Sequence, residues 1–530
     1  MEKNATVGQK KKKAVAGTKY FSNITDNSFQ NYFQISPKKS GRNRLLKFRS
    51  LFLVALLILT ALISFNIVTQ QNPTCGLAIS NLLPEKTKFF GNGGVETTRR
   101  EEGAKEGFWK QPNGMGYRPC LEFSEDYRNE TESVIKDRRK FVILVVNGGL
   151  NQQRNQIVDA VVIARILGAA LVVPIMKVNV VWGDDSEFTD IFDFEYFKKT
   201  LADDIRVVAS LPWFHVTTNH IDGSQNEFNA SPEWYRRKYL RKMNRFGVLL
   251  LRSIDSRLSK DLPPDLQKLR CKAAFQALRF AAPIMELGNK LTERMRSEGP
   301  YLALHLRMER DVWVRTGCLP GLTEYYDDII YDERKNRPDL LSGRTNMEYH
   351  QRKLAGLCPL TSVEISRLMK ALGVPRNTRI YLAGGEPFGG EVAMKPLLQE
   401  FPYMYNKENI SLPGELEQFA DRASILAALD FIVAENSDVF MQSHGGNMGR
   451  ALQGRRTFFG HKKHIVPQKR QMISYFLNET MPESEFNTII RDLHHDLISH
   501  RAPSKDVTSH PIPDCMCNTT STATIGSVFF

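Results

Sequence analysis

Residues 141–146 read FVILVV, an unbroken apolar run of the kind expected in a strand buried on both faces. A glycine-rich turn, Asn147-Gly148-Gly149, follows it. The stretch 151–167 reads as a helix that stops at Gly168, a residue suited to a left-handed C-terminal cap. A second apolar run over 170–175 completes a β-loop-α-β unit, from which parallel α/β sheets are built. The pattern returns later in the chain. Residues 301–307 (YLALHLR) form an apolar strand running into polar side chains, and 379–385 (RIYLAGG) another that ends in glycines. A helical stretch at 422–434 leads to a strand at 439–442, then to a glycine-rich turn and helix at 445–453. Two α/β halves, 118–295 and 296–480, fit this alternation, with the charged and irregular part of 184–295 read as insertions or a helical cap.

At 530 residues the chain exceeds what one ordinary core encloses, and its 42% hydrophobic and 25% charged content is that of a globular protein. The net charge of +14 invites a nucleic-acid reading, so its location matters. Residues 1–50 hold 12 basic and 2 acidic side chains, which leaves 60 basic against 56 acidic in the remainder. The folded part is therefore nearly balanced, and a basic groove for nucleic acid is not supported.

The basic tail leads into 51–68 (LFLVALLILTALISFNIV), eighteen uncharged and mostly apolar residues that span about 27 Å as a helix. A segment this far from the N-terminus reads as a retained signal anchor rather than a cleaved signal peptide. Arg42, Arg44, Lys47 and Arg49 precede it, while Gln70, Gln71 and Asn72 follow. The positive-inside rule then puts 1–50 in the cytosol and the bulk of the chain in the lumen. A short span carrying Ser64 and Asn66 suits a thin Golgi-type membrane. Residues 69–117 read as a stem, with order beginning near Tyr117, and 481–530 as a C-terminal extension with a mobile end. All seven cysteines (Cys75, Cys120, Cys271, Cys318, Cys358, Cys515, Cys517) lie beyond the anchor, where an oxidising compartment allows pairing. The odd count leaves one over; Cys75 is a candidate for an intermolecular link, and the pairing of the rest stays open. Sequons at Asn129, Asn409, Asn478 and Asn518 agree with secretory passage.

Three strand ends carry chemistry. In the first, Gly148 and Gly149 let the backbone approach a ligand, the following helix start favours an anion, and Asn151, Gln152 and Arg154 cluster nearby. The second holds His305, Arg307, Glu309 and Asp311, which alternation places on one side if the strand persists that far. Arg307 suits a phosphate because its planar fork gives two parallel, charge-assisted hydrogen bonds. At the third, Ser443, His444, Gly445, Gly446 and Asn447 stand between a strand and a helix, where they would surround a nucleotide or sugar. A fourth strand end supplies Glu386. Each of these also has a plainer reading, as a tight turn or a structural charge network. The chain has no P-loop signature, no Gly-x-Gly-x-x-Gly after its first strand, no Asp-x-Asp clamp and no zinc spacing. Chemistry without a bound metal is the expectation, with Arg307 and helix N-termini neutralising a diphosphate.

Taken together, NGGLNQQRNQIVDAVVIARILGAALVVP, HLRMERDVWVRTGC, IYLAGGEPFGGE, FPYMYNKEN and SDVFMQSHGGNMGRALQGRR resemble the plant O-fucosyltransferase family, in its order and over about 118–470. The resemblance implies a GT-B-like α/β fold, two Rossmann-like domains facing a cleft, with the donor site between them. Distantly, His305, Arg307 and Asp311 are similar to the His-x-Arg-x-x-x-Asp stretch of animal O-fucosyltransferases, and Asn151 and Gln152 to their first turn. By that resemblance Arg307 grips the donor's β-phosphate, His305 and Asp311 shape the donor site, Asn151 lies near the reacting centre, and 443–447 closes over the nucleotide. The implied reaction is an inverting single displacement, for which Glu309, Asp311 and Glu386 are the carboxylates to test as base. GDP-fucose is the first expectation for the donor and UDP-rhamnose, for pectin synthesis, the second. The acceptor would be a glycoprotein or cell-wall polysaccharide. A catalytically silent luminal subunit, in a homo- or hetero-oligomer, is the reading from another class.

Overall fold

The computed structural model describes residues 107–112, 117–178, 183–216, 219–255, 257–341, 347–460, 462–499 and 515–518. The basic tail, the apolar segment 51–68 and Cys75 lie outside the described residues. Among the described residues no helix is long and apolar enough to cross a membrane.

Two all-parallel sheets form the frame. The first contains β2 (Phe141–Val146), β3 (Ala170–Val172), β4 (Ile175–Met176), β5 (Val207–Val208), β6 (Ile221–Gly223) and β7 (Val248–Arg252), in the order β5-β3-β2-β7-β6, with β4 also on β2. The second contains β8 (Tyr301–His305), β9 (Arg379–Ala383), β10 (Met404–Tyr405), β11 (Val439–Gln442) and β12 (His464–Ile465), in the order β10-β9-β8-β11-β12. In each sheet the earliest strand lies in the middle and later strands pair on its two sides. That reversal opens a crevice beyond the carboxyl ends of β2 and β8, the usual ligand position in open α/β sheets. A small antiparallel pair, β1 (Tyr117–Pro119) with β13 (Met516–Asn518), lies apart from both.

The apolar runs at 141–146 and 301–305 become these central strands because both faces are covered: every residue of β8 is buried, as is all of β2 except Val145. Six helices matter for the site: α1 (Leu150–Leu167), α2 (Ala282–Arg296), α3 (Arg310–Thr316), α4 (Ala423–Asn436), α5 (Asn447–Phe458) and α6 (Lys469–Phe476). Helix α1 is buried except at Gln152, Asn155 and Asp159, polar first turns included, since it lies between the halves. One continuous core runs from Val142 and Leu249 of the first sheet through Ile157 of α1 to Ile432, Tyr381 and Phe440 of the second half. The opposite face of the second sheet, with Leu302, Leu304, Ile380 and Met441, builds a separate core. Polar ties add to the shared one. Ser424 N–H, in the first turn of α4, donates to Asp184 Oδ2 at 2.6 Å, and Arg422 pairs with Asp190 at 2.9 Å. A carboxylate at a helix start satisfies an otherwise unpartnered N–H and opposes the helix dipole.

Several expectations are corrected. The strand expected over 170–175 is broken into β3 and β4 around Pro174, which has no N–H to give a ladder. Within 184–295, read as insertions or a cap, Val248–Arg252 is a central strand beside β2. Order does not wait for Tyr117. Phe108 is buried in the second core, Gln111 Nε2 donates to Asp438 O at 3.1 Å, and Lys463 N–H donates to Gln111 Oε1 at 2.9 Å. The C-terminal extension is held at 515–518, where Cys517 bonds Cys120 and Cys515 bonds Cys271. A third disulfide joins Cys318 to Cys358, which leaves Cys75 as the odd cysteine. Of the sequons, Asn129, Asn409 and Asn478 are exposed, and Asn518 closes β13.

Candidate active site

The turn after β2 is held by three glutamines of α1. Gly149 N–H donates to Gln152 Oε1 at 3.1 Å, Gln153 Nε2 donates to Gly148 O at 3.1 Å, and Gln156 Nε2 donates to Asn147 O at 2.9 Å. Gly148 has φ +85°, and a Cβ there would sit 2.4 Å from Gln152 Oε1, so the close approach needs glycine. Gln152, expected to meet a ligand, instead braces its own turn. Arg154 is a clearer correction. Its guanidinium lies 4.6 Å from the Phe431 ring centroid and 5.1 Å from that of Phe280, inside the shared core. Burial first, and then Arg455, lower its pKa to about 9. A buried cation stacked between two rings packs the halves together and does not meet an anion in the crevice. Asn151 remains: it is buried on the first turn of α1, and its Oδ1 has no hydrogen-bond partner.

The second sheet gathers its charged residues where β8, β9 and β11 end side by side, with His305 in register with Ala383 and Gln442. The strand stops at His305, so the alternation expected to reach Asp311 does not hold. His305 is buried, its Nδ1 lies 3.0 Å from Ala383 O, and its Nε2 has no partner. Burial, helped by Arg307, lowers its pKa to about 3. Arg307 Nε lies 3.6 Å from Glu309 Oε2, and both atoms are buried without a hydrogen bond. That separation leaves a charge pair too long to be a hydrogen bond. Glu309 caps the start of α3, and its Oε1 accepts from Gly385 N–H at 3.4 Å. Burial raises its pKa, with Arg307 opposing. Asp311 stands in the first turn of α3 and is engaged by Arg315 one turn on, rather than by the strand-end cluster. Glu386 is exposed in the loop after β9.

Ser443 is fully buried and stitches two strand ends together: its N–H donates to His305 O at 3.0 Å, and its Oγ accepts from Arg307 N–H at 2.9 Å. It positions Arg307 more than it offers a ligand contact. Gly445 is exposed and Gly446 caps α5 without a side chain, so the N–H groups that start this helix, at Asn447 and beyond, meet no side-chain cap. His444 introduces a residue that sequence reasoning missed. Its Nδ1 lies 2.7 Å from Lys469 Nζ, which also donates to Cys358 O at 2.6 Å. The ring also faces the Cys358 carbonyl, so His444, Lys469 and Cys358 O form one buried group. Burial, then Lys469 and Arg307, lower the His444 pKa to about 3, while burial and Lys353 bring Lys469 to about 7. A lone lysine 25 residues downstream gives no local signal of this contact. Among the described residues, no hydrogen bond or ion pair joins the 147–152 turn to Arg307, Glu309 or 443–447, and no cluster of His, Cys, Asp and Glu has the make-up of a metal site.

A family model described as GDP-fucose protein O-fucosyltransferase matches residues 141–459. O-fucosyltransferase 20 of Arabidopsis thaliana is 60% identical over 432 residues, covering 81% of this chain and 75% of that protein. O-fucosyltransferase 20 of Brassica napus is 53% identical over 523 residues, covering 94% of each. Among solved structures, POFUT1 in complex with GDP aligns at 12% identity and a TM-score of 0.40, over 62% of this chain and 99% of that one.

Proposed function

The chain belongs to the GDP-fucose protein O-fucosyltransferase family and is a glycosyltransferase, and from that premise we propose that it moves fucose from GDP-fucose to a hydroxyl of a glycoprotein or cell-wall glycan in the Golgi lumen. The observation that carries the donor reading is Arg307 facing Glu309, each with a buried, unbonded atom, at the carboxyl ends of three parallel strands. Arg307 takes the β-phosphate and steadies the leaving diphosphate, while the N–H groups at the start of α5 receive the neighbouring phosphate oxygens. Their positive potential supplies what a divalent ion supplies elsewhere, so the transfer is read as metal-independent. Glu309 orients Arg307, and Ser443 fixes the backbone behind it. Asn151, whose Oδ1 is buried and unpartnered, is read from the family resemblance as the residue near the reacting centre. In a single displacement the acceptor oxygen attacks the anomeric carbon as the bond to the diphosphate breaks, with inversion. Its proton passes to a base, for which exposed Glu386 is the free carboxylate, Asp311 being engaged by Arg315.

The test is release of nucleoside diphosphate by the full-length chain, offered GDP-fucose and UDP-rhamnose in turn with glycoprotein and polysaccharide acceptors. GDP release from GDP-fucose, lost in Arg307→Ala, is the expected result. UDP release from UDP-rhamnose instead would keep the site and overturn the donor. Silence with both donors and all acceptors would overturn the transferase assignment itself.

A further inference from the structure

Beneath the Gly384-Gly385-Glu386 turn lies a buried pair, Asp430 with Lys407 of the FPYMYNKEN stretch. Asp430 of α4 is 3% exposed, and its carboxylate accepts from Tyr381 Oη at 2.8 Å, Gly384 N–H at 3.1 Å and Lys407 Nζ at 3.2 Å. Lys407 Nζ in turn donates to Gly384 O at 3.1 Å. The acid therefore holds the N–H of one residue and the base holds its carbonyl. Burying such a pair brings little stability compared with apolar side chains of similar size, so a device of this kind calls for another role. Burial raises the Asp430 pKa, and Asp430 and Glu408 raise that of Lys407 against its own burial.

The geometry gives that role. Gly384 has φ +138°, and a Cβ there would come 2.9 Å from Leu306 O, so the turn presses directly on the backbone that leads to Arg307. The Gly384 carbonyl and the Gly385 N–H belong to one planar trans peptide and point in opposite directions. By drawing the carbonyl inward, Lys407 aims the Gly385 N–H outward, where it meets Glu309 Oε1 at 3.4 Å. Glu309 Oε2 faces Arg307 Nε. A continuous path runs from Asp430, which holds Lys407 and the Gly384 N–H, through Lys407 and the 384–385 peptide to Glu309 and then to Arg307.

We propose that Asp430 and Lys407 are positioning residues: a buried clamp that sets the 384–385 peptide and, through Glu309, the orientation of Arg307 toward a nucleoside diphosphate. The role rests on the donor reading above, and the experiment keeps the two apart. GDP affinity is measured by titration calorimetry for the full-length chain and for Asp430→Asn and Lys407→Met, each also made in a Glu309→Ala background. Amide exchange at 384–386 and the melting temperature are followed in parallel. Each single substitution is expected to weaken GDP by about tenfold, the scale of one hydrogen bond to a charged group. In the Glu309→Ala background the further loss is expected to fall below about twofold, because the path is already cut. Losses that multiply unchanged in that background would overturn the proposal, whatever the melting temperature does. If the unsubstituted chain fails to bind GDP, the donor reading falls, and exchange decides the clamp alone. Faster exchange at 384–386 in both variants supports it, and unchanged protection overturns it.

Discussion

In each sheet the central parallel strand ends beside a glycine turn, which follows β2 itself in the first sheet and the neighbouring β9 in the second, and the polar residues there are spent in opposite ways. After β2, Gln152, Gln153 and Gln156 turn back to hold the backbone of the turn itself. After β8, Arg307 and Glu309 face each other with atoms left unbonded; Ser443 holds the backbone of Arg307 from behind, and Asp430 and Lys407 hold that of Gly384 in the adjoining turn after β9. A turn braced by its own side chains is closed, whereas one braced from beneath leaves its functional groups facing outward. The contrast teaches that polar residues next to a glycine turn are not by themselves a site: the amide N–H groups of Gln153 and Gln156 are used on the turn's own carbonyls, and Asn151 Oδ1, left unbonded, is the group on that side still able to meet a ligand.

That contrast has several ways to fail. The largest effect is expected from Arg307→Ala, which should lower donor turnover by about 10²–10³-fold, as for other groups that stabilise developing charge, while leaving the melting temperature nearly unchanged. A smaller effect is expected from Gln156→Ala, which leaves Asn147 O short of its strongest partner. It should destabilise the fold by about 1–2 kcal/mol in denaturant titration and leave GDP affinity alone. Were Gln156→Ala to cost as much turnover as Arg307→Ala, the closed turn would be part of the site and the comparison would break. Gly148→Ala sharpens it further. Strain at a left-handed position costs about 1–3 kcal/mol, again read in stability rather than donor use.

The last effect concerns pH and stability alone, not donor turnover. His444 has a folded pKa of about 3 against an ordinary 6.5, so between those values the unfolded chain binds more protons. Stability therefore rises with pH across that window, and His305 adds to it in the same direction. The slope of denaturation midpoint against pH should flatten in His444→Gln and persist in Gln156→Ala. Equal slopes in all three proteins would remove His444 as a source of the effect.

Much of the frame was legible because buried parallel strands leave unbroken apolar runs, as at 141–146, 301–305, 379–383 and 439–442. Strand β7 escaped notice although VLLLR is as apolar as the others, since charged helices on either side masked it. Arg307 and Glu309 could be picked out because charge at the end of an apolar strand is costly without a purpose. Gln152 and Arg154 could not be separated from ligand-binding residues, because only the fold shows which way each is spent. Asp430 looks like an interruption in the apolar helix ASILAALDFIVAEN, and Lys407 and Lys469 look like solvated charges. Their meaning arises from strands and helices meeting across long stretches of chain. The cystine pairs 120–517 and 271–515 were hidden for the same reason.

The fastening of Phe108 and Gln111 has a mechanical consequence. Gln111 binds Asp438 O and Lys463 N–H, residues that immediately precede β11 and β12, and Asp438 Oδ2 accepts from Tyr301 N–H at the start of β8. All of these lie at the pole where the parallel strands begin. Arg307, Gly385 and His444 lie at the pole where they end. The chain thus grips the catalytic sheet by its base, like the handle of a torch. A load on Phe108 and Gln111 therefore falls on the strand starts, at the opposite end of the sheet from Arg307.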